Sequence, residues 1–295
     1  MIPLTGKPSR RVLTALTSAV GLVAAAVGLW AGAGGTANAA GSVPTPDHVV
    51  VVVLENHGYD QIIGNKNAPY INSLKNGGAV LTSSYAITHP SQPNYFTLFS
   101  GSTQGITDDG CYTPGFSSAP NLASELIAAG KSWGSYNETL PEQGSTVCSS
   151  GDYARKHNPW FGFSNVPTSS AMTLAQFPTD YSTLPQVSFV IPNLCSDMHD
   201  CGVATGDLWL QHNLSAYADW AKTHNSVLLI TFDEDNWLAW NRIATVVYGQ
   251  PVTPGSSSST RYNHYSVLRT IEDMYGTAHA GQAASASDIT GIWAS

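Results

Sequence analysis

The stretch with the clearest chemical potential is residues 88–96, which reads Thr-His-Pro-Ser-Gln-Pro-Asn-Tyr-Phe. Ser91 stands two residues before Pro93, and proline is favoured at the first helical position because its missing N–H would be unpaired there. A hydroxyl beside a helix N-terminus faces free N–H groups and the positive end of the helix dipole, which together hold a phosphate or another oxyanion. Ser91 is therefore a candidate nucleophile, and the competing interpretation is a polar turn into a buried helix.

Polar side chains follow several predicted strands at the point where each strand ends. They are Glu55, Asn56, His89, Ser91, Asn193, Asp197, His199, Asp200, Asp233, Glu234 and Asp235, with His264 at the start of the last helix. Taken singly, each has a structural explanation such as a cap or a solvated turn. Taken together, carboxylate, amide and hydroxyl oxygens suit a divalent cation, and histidine can join them. Such a metal would lower the pKa of the Ser91 hydroxyl and neutralise charge on a phosphoryl group.

Arg155, Lys156 and His157 form a basic cluster in an otherwise acidic chain. Arg155 and Lys156 are candidates for binding a substrate phosphate, and His157 is a candidate for protonating a leaving group. His199 and His264 are further candidates for that proton donor, and the sequence leaves the choice open. The alternative interpretation of the basic cluster is an ordinary solvated loop.

The elements that must position these residues alternate between strands and helices. Strands are predicted at 47–54, 79–85, 131–136, 187–191, 226–232 and 244–248, and helices at 68–75, 121–129, 205–224 and 264–275, with another helix from near Pro93 to Gly101. Residues 138–180 are predicted to be largely irregular, and 251–259 to form a mobile loop. This alternation indicates a three-layer α/β/α sandwich with a mostly parallel central sheet. Ligand sites in such sheets lie beyond the carboxyl ends of the strands.

Residues 1–39 have the pattern of a signal peptide. A basic segment with Lys7, Arg10 and Arg11 precedes an apolar run from 13 to about 32, and Ala-Asn-Ala at 37–39 is a cleavage signal. The arginine pair also resembles a twin-arginine export signal. An uncleaved anchor is the alternative, but the small residues at the cleavage site favour removal. The sequence thus predicts a secreted protein without a stable membrane anchor, whose residues 40–295 form a single domain.

The charge and the cysteines narrow the class of protein further. The predicted signal holds three of the 12 Lys and Arg and none of the 20 Asp and Glu, which leaves a mature net charge of −11. This acidity argues against nonspecific nucleic-acid binding, which draws on a surplus of Lys and Arg, and against docking on an anionic membrane by charge alone. Four cysteines in an exported chain predict two disulfides rather than a metal site. Three pairings are open, and the simplest joins Cys111 to Cys148 and Cys195 to Cys201.

The chain resembles the phosphoesterase family that includes bacterial acid phosphatases and phospholipases C, within the alkaline-phosphatase-like superfamily. The resemblance is carried by 48–56 with its Glu-Asn end, 89–95, 191–200, 231–235 and 263–265. It covers essentially the whole predicted mature chain. It therefore implies that residues 40–295 form one phosphoesterase domain with an alkaline-phosphatase-like sheet.

The resemblance also implies a set of site residues. One divalent metal ion, whose identity stays open, would be held by Glu55, Asn56, Ser91, Asp233 and Glu234. Ser91 would accept the phosphate. Because Ser-Gln-Pro-Asn at 91–94 is similar to the Thr-Phe-Pro-Asn of nucleotide phosphodiesterases, Asn94 would bind the substrate and support the oxyanion. The Asp-His pair of the two-zinc branches is Asp-Glu here, and their Asp-x-x-x-His is Asn193 and Asp197, which argues against a second tightly bound zinc.

The function that follows is a secreted acid phosphatase that hydrolyses phosphate monoesters through a phosphoserine. Its substrate would be a small phosphate monoester or a phospholipid head group, with phosphatidylinositol 3-phosphate as one candidate. A phosphodiesterase or phospholipase C on the same scaffold is the alternative within the family. A non-catalytic extracellular binding protein is the alternative outside it. The sequence leaves the oligomeric state open.

Overall fold

The computed structural model describes residues 43–295. The predicted signal peptide at 1–39 lies outside these residues. The strands are β1 His48–Leu54, β2 Ala79–Tyr85, β3 Trp133–Asn137, β4 Ser149–Ser150, β5 Tyr153–Ala154, β6 Ala171–Thr173, β7 Val187–Ile191, β8 Ser226–Phe232, β9 Arg242–Gly249, β10 Ser256–Ser258 and β11 Tyr262–Asn263. The α-helices are α1 Tyr59–Ile62, α2 Pro69–Gly77, α3 Ser91–Ser100, α4 Leu122–Ala128, α5 Val203–Ala221 and α6 His264–Tyr275.

One large sheet forms the middle layer of the fold. Its strand order is β10-β2-β9-β8-β1-β7-β3-β6, and β11 also pairs with β2. β9 runs antiparallel to β2 and β8, whereas the other pairs are parallel. β4 and β5 form a separate small hairpin. The predicted mostly parallel α/β architecture is confirmed.

The continuous apolar sequence of β1 reflects its central place in the sheet. Val49, Val51 and Val53 pack into a core with α3, α4 and α6, whereas the alternate residues pack into a second core with α2 and α5. Both faces of β1 are therefore buried, which is why no polar residue interrupts the strand. The helices that cover the two faces complete the three layers.

Some predicted element boundaries differ from those in the structure. Helix α3 begins at Ser91 with Pro90 as its N-cap, so Ser91 lies in the first turn rather than before the helix. Gly101 ends α3 with φ 65°, as the pattern predicts. The segment predicted as the loop 251–259 contains β10, and the irregular segment contributes β6 to the sheet edge. Both strands form through backbone hydrogen bonds to a neighbouring strand. The pattern of side chains in the sequence carries little information about such pairing.

Two disulfides staple the loops above the sheet. Cys111 pairs with Cys148 and Cys195 with Cys201, at Cα–Cα distances of 5.8 and 4.7 Å. The simplest of the three predicted pairings is confirmed. The first disulfide joins the loop after α3 to the segment that leads into the basic cluster. Among residues 43–295, the helices are all too short or too polar to cross a bilayer.

Candidate active site

Neighbouring strands β1 and β8 bring two acidic residues to one edge of the sheet. They pair in parallel with Leu54 opposite Phe232, so the residues that follow, Glu55 and Asp233, leave the sheet side by side. Both are buried, with 0% and 1% of their surface exposed. Asn56 then turns the chain with φ 57°, and its N–H donates to Asp233 Oδ1 at 3.0 Å.

Strand β2 delivers Ser91 to the same edge, because β2 and β1 point in the same direction through the antiparallel β9. The Ser91 hydroxyl is buried at the first turn of α3 and donates to Glu55 Oε2 at 2.9 Å. Glu234 Oε1 lies 3.4 Å from the same hydroxyl. The structure therefore brings a serine, a helix N-terminus and two carboxylates together.

Asn94 holds the loop that carries Ser91. Its Oδ1 accepts the N–H groups of Ile87 and Thr88, both at 3.1 Å, and its Nδ2 donates to Thr88 O at 2.8 Å. The same Nδ2 lies 3.2 Å from Glu234 Oε2. The side chain predicted to bind substrate is thus engaged with the protein, where it fixes the Ser91 loop and reaches the carboxylates.

Glu55 has a different set of partners on each oxygen. Oε2 accepts from Ser91 and, at 3.1 Å, from Asn56 Nδ2. Oε1 accepts from the hydroxyl of Tyr95 at 2.6 Å and lies 3.1 Å from His157 Nε2. This single carboxylate therefore connects Ser91 to the basic cluster, which lies about a hundred residues further along the chain.

Glu55, His157 and Asp197 form a candidate metal triad. One ligand atom from each lies within 4.8 Å of the others, and all three side chains are buried. His157 Nδ1 is 3.2 Å from Asp197 Oδ2, yet neither Asp197 Oδ2 nor His157 Nε2 has a well-aligned hydrogen-bond partner among the described residues. Burial lowers the pKa of His157 to about 3, which keeps the ring in the neutral form that binds metals.

This triad differs from the ligand set that the resemblance implied. Only Glu55 belongs to both. His157 was predicted as a proton donor, and Asp197 was among the strand-end residues without being assigned as a ligand. The available signal was the position of Asp197 after β7, which neighbours β1. Its distance from His157 depends on the long excursion between β3 and β7, and the sequence does not specify that path.

Several carboxylates share this buried space with little positive charge. Burial, reinforced by Asp233, raises the pKa of Glu234 to about 9 and that of Glu55 well above its usual value. Burial also raises the pKa of Asp233, and raises that of Asp197 to about 7. Such crowding favours a cation that neutralises the group.

The residues present fit a divalent cation. Asp233 Oδ2 is buried without a hydrogen-bond partner in residues 43–295, so it is free to serve as a ligand. Carboxylate oxygens with a hydroxyl, an amide and a neutral imidazole form a donor set for divalent metals. The identity of the ion does not follow from this set, since several metals accept the same donors.

Comparison with known proteins identifies the family of the chain. The model of the Phosphoesterase family matches residues 65–278. A phosphatidylinositol-3-phosphatase of Mycobacterium tuberculosis is 49% identical over 99% of this chain and 98% of its own length. The chain belongs to the phosphoesterase family. Acid phosphatases of Aspergillus fumigatus and Penicillium chrysogenum are 30% and 31% identical over 78% and 80% of this phosphoesterase, which spans only 55% and 60% of their length.

Solved structures share the fold of this phosphoesterase. A protein of the alkaline phosphatase superfamily from Vibrio parahaemolyticus superposes with a TM-score of 0.55 at 11% identity, covering 80% of this chain and 68% of its own. A phosphonate monoester hydrolase from Silicibacter pomeroyi gives 0.53 at 8% identity, covering 82% and 76%. The predicted family and its alkaline-phosphatase-like fold are confirmed.

In this phosphoesterase, Asp109 links Lys156 to the N-terminus of α3. Lys156 Nζ lies 2.9 Å from Asp109 Oδ2, and Asp109 Oδ1 accepts the N–H of Gln92 at 2.9 Å. The carboxylate of Asp109 thus sits between a cation and the helix N-terminus, in the kind of place a phosphate oxygen prefers. Lys156 Nζ is also 3.3 Å from His199 Nε2.

Arg155, the other predicted phosphate ligand, points elsewhere. Its guanidinium donates to the carbonyl oxygens of Tyr112 and Thr146 and lies 2.9 Å from Cys111 Sγ. It therefore braces the loops that the Cys111–Cys148 disulfide joins. The structure does not bring it to Ser91.

The candidate proton donors differ in access. His199 is partly exposed, and its Nδ1 is 2.6 Å from Asp200 Oδ1. His264 is buried, its Nε2 lies 2.7 Å from the carbonyl oxygen of Asp233, and burial lowers its pKa to about 4. Among the described contacts, neither ring hydrogen-bonds to Ser91. Of the two rings, His199 is the one that solvent can reach.

Two contributors to the site were given no specific role from the sequence, although His89 was among the polar residues that follow the predicted strands. His89 Nδ1 lies 2.9 Å from Glu234 Oε2, and its ring stacks on Trp237 with a centroid distance of 3.8 Å. Tyr95 holds Glu55 from the second turn of α3. Both belong to the 88–96 stretch, so their proximity to Ser91 was the signal that could have identified them.

Proposed function

We propose that this phosphoesterase is an acid phosphatase that hydrolyses phosphate monoesters with Ser91 as its nucleophile. The observation that carries the proposal is the Ser91 hydroxyl, buried at the N-terminus of α3 and hydrogen-bonded to Glu55 at 2.9 Å. The relative from Mycobacterium tuberculosis, named for phosphatidylinositol 3-phosphate, supports a monoester substrate that includes a phospholipid head group.

The chemistry would proceed by two displacements at phosphorus. The Ser91 oxygen forms a bond to phosphorus while the ester oxygen leaves, and Glu55, which already accepts the Ser91 hydrogen bond, is placed to take the hydroxyl proton. Water then attacks the phosphoserine, releases inorganic phosphate and regenerates the hydroxyl. The first turn of α3 and the nearby Lys156 supply positive potential for the phosphoryl oxygens.

A divalent cation at this site would be held by Glu55, Ser91, Asp233 and Glu234, with Asn56 beside them and with His157 and Asp197 on the far side of Glu55. When bound, it would lower the pKa of Ser91 and neutralise phosphoryl charge. The unpartnered Asp233 Oδ2 and the shared carboxylate of Glu55 support this assignment. Without such a charge, the carboxylates oppose the approach of a phosphate dianion.

His199 is the proton donor that we assign to the leaving group. Its ring is 30% exposed, whereas His157 and His264 are buried and their lowered pKa values keep them neutral. Lys156 lies between His199 and Asp109, so the proton donor and the phosphate ligand share one side of the site. Release of the protein from the cell, with residues 1–39 removed, is part of the same proposal.

Ser91→Ala tests the nucleophile, and Ser100→Ala on the same helix is the matched control. Ser100 is also buried, but its hydroxyl donates to Phe96 O, away from the carboxylates. We expect Ser91→Ala to lose p-nitrophenyl phosphate turnover by about a thousandfold or more while keeping its thermal transition, and Ser100→Ala to retain turnover. Acid quenching with labelled substrate should trap phosphoserine only where Ser91 is present. Substantial turnover by folded Ser91→Ala protein would refute the assignment.

Two substrates decide between the family alternatives. The proposal predicts faster hydrolysis of p-nitrophenyl phosphate than of bis-(p-nitrophenyl) phosphate, because a monoester presents the terminal oxygens that Lys156 and the α3 N-terminus bind. Preference for the diester would favour a phosphodiesterase. Phosphate binding without turnover of either ester would favour a non-catalytic binding protein.

A further inference from the structure

The loop that follows the carboxylates Asp233 and Glu234 carries an apolar surface. Within residues 43–295, the three most exposed large apolar side chains all lie on this loop: Trp237, Leu238 and Trp240, which are 72%, 80% and 94% exposed. We define residues 235–241 as the tryptophan loop. Exposed apolar groups clustered in this way mark a surface that contacts a ligand, a membrane or another protein.

The tryptophan loop is held in shape by one buried residue. Asp235 Oδ1 accepts the N–H of Trp237 at 2.8 Å, and Oδ2 accepts those of Ala239 and Asn241 at 2.6 and 2.9 Å. Asn241 closes the loop by accepting the N–H of Asp235 at 3.0 Å. These backbone N–H groups are therefore satisfied on the inside of the loop, and the side chains of Trp237, Leu238 and Trp240 face outward.

Trp237, near the start of the loop, borders the proposed active site. The Trp237 ring stacks on His89, and His89 Nδ1 lies 2.9 Å from Glu234 Oε2. The chain therefore passes within a few residues from the carboxylates near Ser91 to the most exposed apolar tips of the described structure. Anything that binds these tips therefore lies close to the carboxylates beside Ser91.

Two arginine side chains lie beside the tryptophan loop. Arg242 and Arg261 line a groove of about 600 Å³ together with Leu238 and Trp240. Each guanidinium is stacked on a tyrosine ring, at 3.9 and 3.6 Å from the ring centroid. The predicted mature chain has nine Lys and Arg in all, so two of its few cations flank this surface. Arg242 is engaged with the protein, because its Nε and one terminal nitrogen donate to Thr82 O at 3.0 and 2.8 Å and the exposed Asp60 lies 3.6 Å away. Arg261 is the exposed cation of the two.

We propose that the tryptophan loop docks the protein on a lipid bilayer whose head groups carry anionic phosphates, and so presents those phosphates to Ser91. Tryptophan is the side chain that favours the membrane–water boundary, since its ring is apolar and its N–H polar. Leu238 adds an apolar tip, and the exposed Arg261 meets the phosphate of a neighbouring lipid. The acidity of the whole chain opposes docking by charge alone, so the apolar tips supply the binding energy. This inference rests on the proposed function only in naming the substrate; the docking surface stands apart from it.

Vesicle flotation of catalytically silent protein tests the docking surface directly. In a Ser91→Ala background, we expect the chain to float with vesicles of phosphatidylcholine and phosphatidylserine, and less with phosphatidylcholine alone. Leu238→Ser with Trp240→Ser should weaken binding by about tenfold or more, because two apolar side chains no longer leave water. Leu208→Ser is the matched control, since Leu208 is 64% exposed on α5, outside the loop. Equal flotation of the double variant and the control would overturn the proposal.

Turnover in two physical states of one substrate gives the second readout. With Ser91 intact, the double variant should hydrolyse p-nitrophenyl phosphate and a short-chain soluble phosphatidylinositol 3-phosphate like the unaltered protein. It should lose about tenfold in rate on phosphatidylinositol 3-phosphate embedded in vesicles. Unchanged activity of the double variant on vesicles would refute docking. A change in its oligomeric state alone would also refute docking, because the loop would then be a contact between copies of the chain. Failure of the Ser91 assignment would appear instead with the soluble substrates and would leave the flotation result intact.

Discussion

The Ser91 hydroxyl donates to Glu55 Oε2 at 2.9 Å, while the other oxygen of Glu55 lies 3.1 Å from His157 Nε2. One carboxylate thus contacts the proposed nucleophile on one side and belongs to the candidate metal triad on the other. Because Glu55 is fully buried, neither contact is screened by water. Changes at this residue should therefore affect both metal binding and turnover.

Glu55→Gln tests the effect of this carboxylate on turnover and on metal binding separately. We expect turnover of p-nitrophenyl phosphate to fall by about a hundredfold or more, since the amide is a poor metal ligand and cannot take the Ser91 proton. The metal-stripped variant should melt no lower than the stripped parent, because one crowded buried carboxylate is gone. Added divalent ion should raise the melting temperature of the parent more than that of the variant. An equal rise in both proteins would contradict a ligand role for Glu55.

His157→Asn asks whether His157 binds metal or donates a proton. A ligand role predicts that metal affinity falls by more than about tenfold and that excess metal restores much of the turnover. A proton-donor role predicts a loss that no amount of metal repairs. The neutral state of the buried ring leads us to expect the first result. Titration of activity against free metal concentration makes the distinction.

His199→Asn should lower turnover in proportion to the basicity of the leaving group. An alkyl phosphate needs a proton on its departing oxygen, whereas p-nitrophenolate leaves unaided, so we expect a loss of about 10²-fold or more only with the alkyl ester. His212→Asn is the control, since it replaces an exposed histidine on α5. Equal losses on both substrates would remove His199 from the proton-donor role.

Lys156→Ala and Arg155→Ala should behave differently although the residues are adjacent. Lys156 lies at the nucleophile end of α3, so its loss should raise the KM for a phosphate monoester about tenfold or more, the value of a charged hydrogen bond. Arg155 braces the disulfide-linked loops, so its loss should lower the melting temperature with a smaller effect on KM. Steady-state kinetics and thermal melts of both variants test the contrast. A KM increase for Arg155→Ala alone would reverse it.

Asp109→Asn tests competition for the anion position. The carboxylate now holds both Lys156 and the Gln92 N–H, the same donors that a phosphate oxygen requires. We expect the variant to bind inorganic phosphate about threefold to tenfold more tightly as an inhibitor, with kcat little changed. Asp152→Asn, which removes an exposed negative charge, controls for net charge. Weaker phosphate binding would mean that Asp109 orients Lys156 instead of competing with substrate.

Glu272 on α6 should make stability depend on pH independently of the active site. Burial raises its pKa from 4.5 to about 8, and its Oε2 has no hydrogen-bond partner within the described residues. A raised folded pKa means that the protonated group stabilises the fold below about pH 4.5, and that this contribution is lost as the pH rises through about 8. Glu272→Gln should therefore be more stable than the parent at pH 8, by roughly 1–3 kcal/mol, and similar to it at pH 5. Denaturant unfolding at both pH values measures this difference, with the exposed Glu142→Gln as control. An equal change in the free energy of unfolding of the parent and of Glu272→Gln between the two pH values would contradict the prediction.

The sequence by itself determined the family, the layered α/β fold and the stretch that carries the candidate nucleophile Ser91. These follow from local signals: an apolar run long enough for a doubly buried strand, a serine beside proline at a helix start, and a glycine at the helix end. Each depends on neighbours within a few residues, which the sequence states directly. The antiparallel direction of β9 and the short strand β10 were not evident, because backbone pairing leaves little trace in side-chain type.

Only the tertiary structure decided which side chains meet. Asn94 and Arg155 matched a substrate-binding role by type and position, yet Asn94 bonds to the carbonyl oxygen of Thr88 in its own loop and Arg155 to that of Tyr112 in the loop after α3. His157 and Asp197 meet Glu55 although some 40 to 140 residues separate the three. The path of the long excursion between β3 and β7 sets those distances, and it is fixed by loop packing and a disulfide rather than by any repeating pattern. The carboxylate of Glu55 therefore acquires its second set of partners only when the chain is folded.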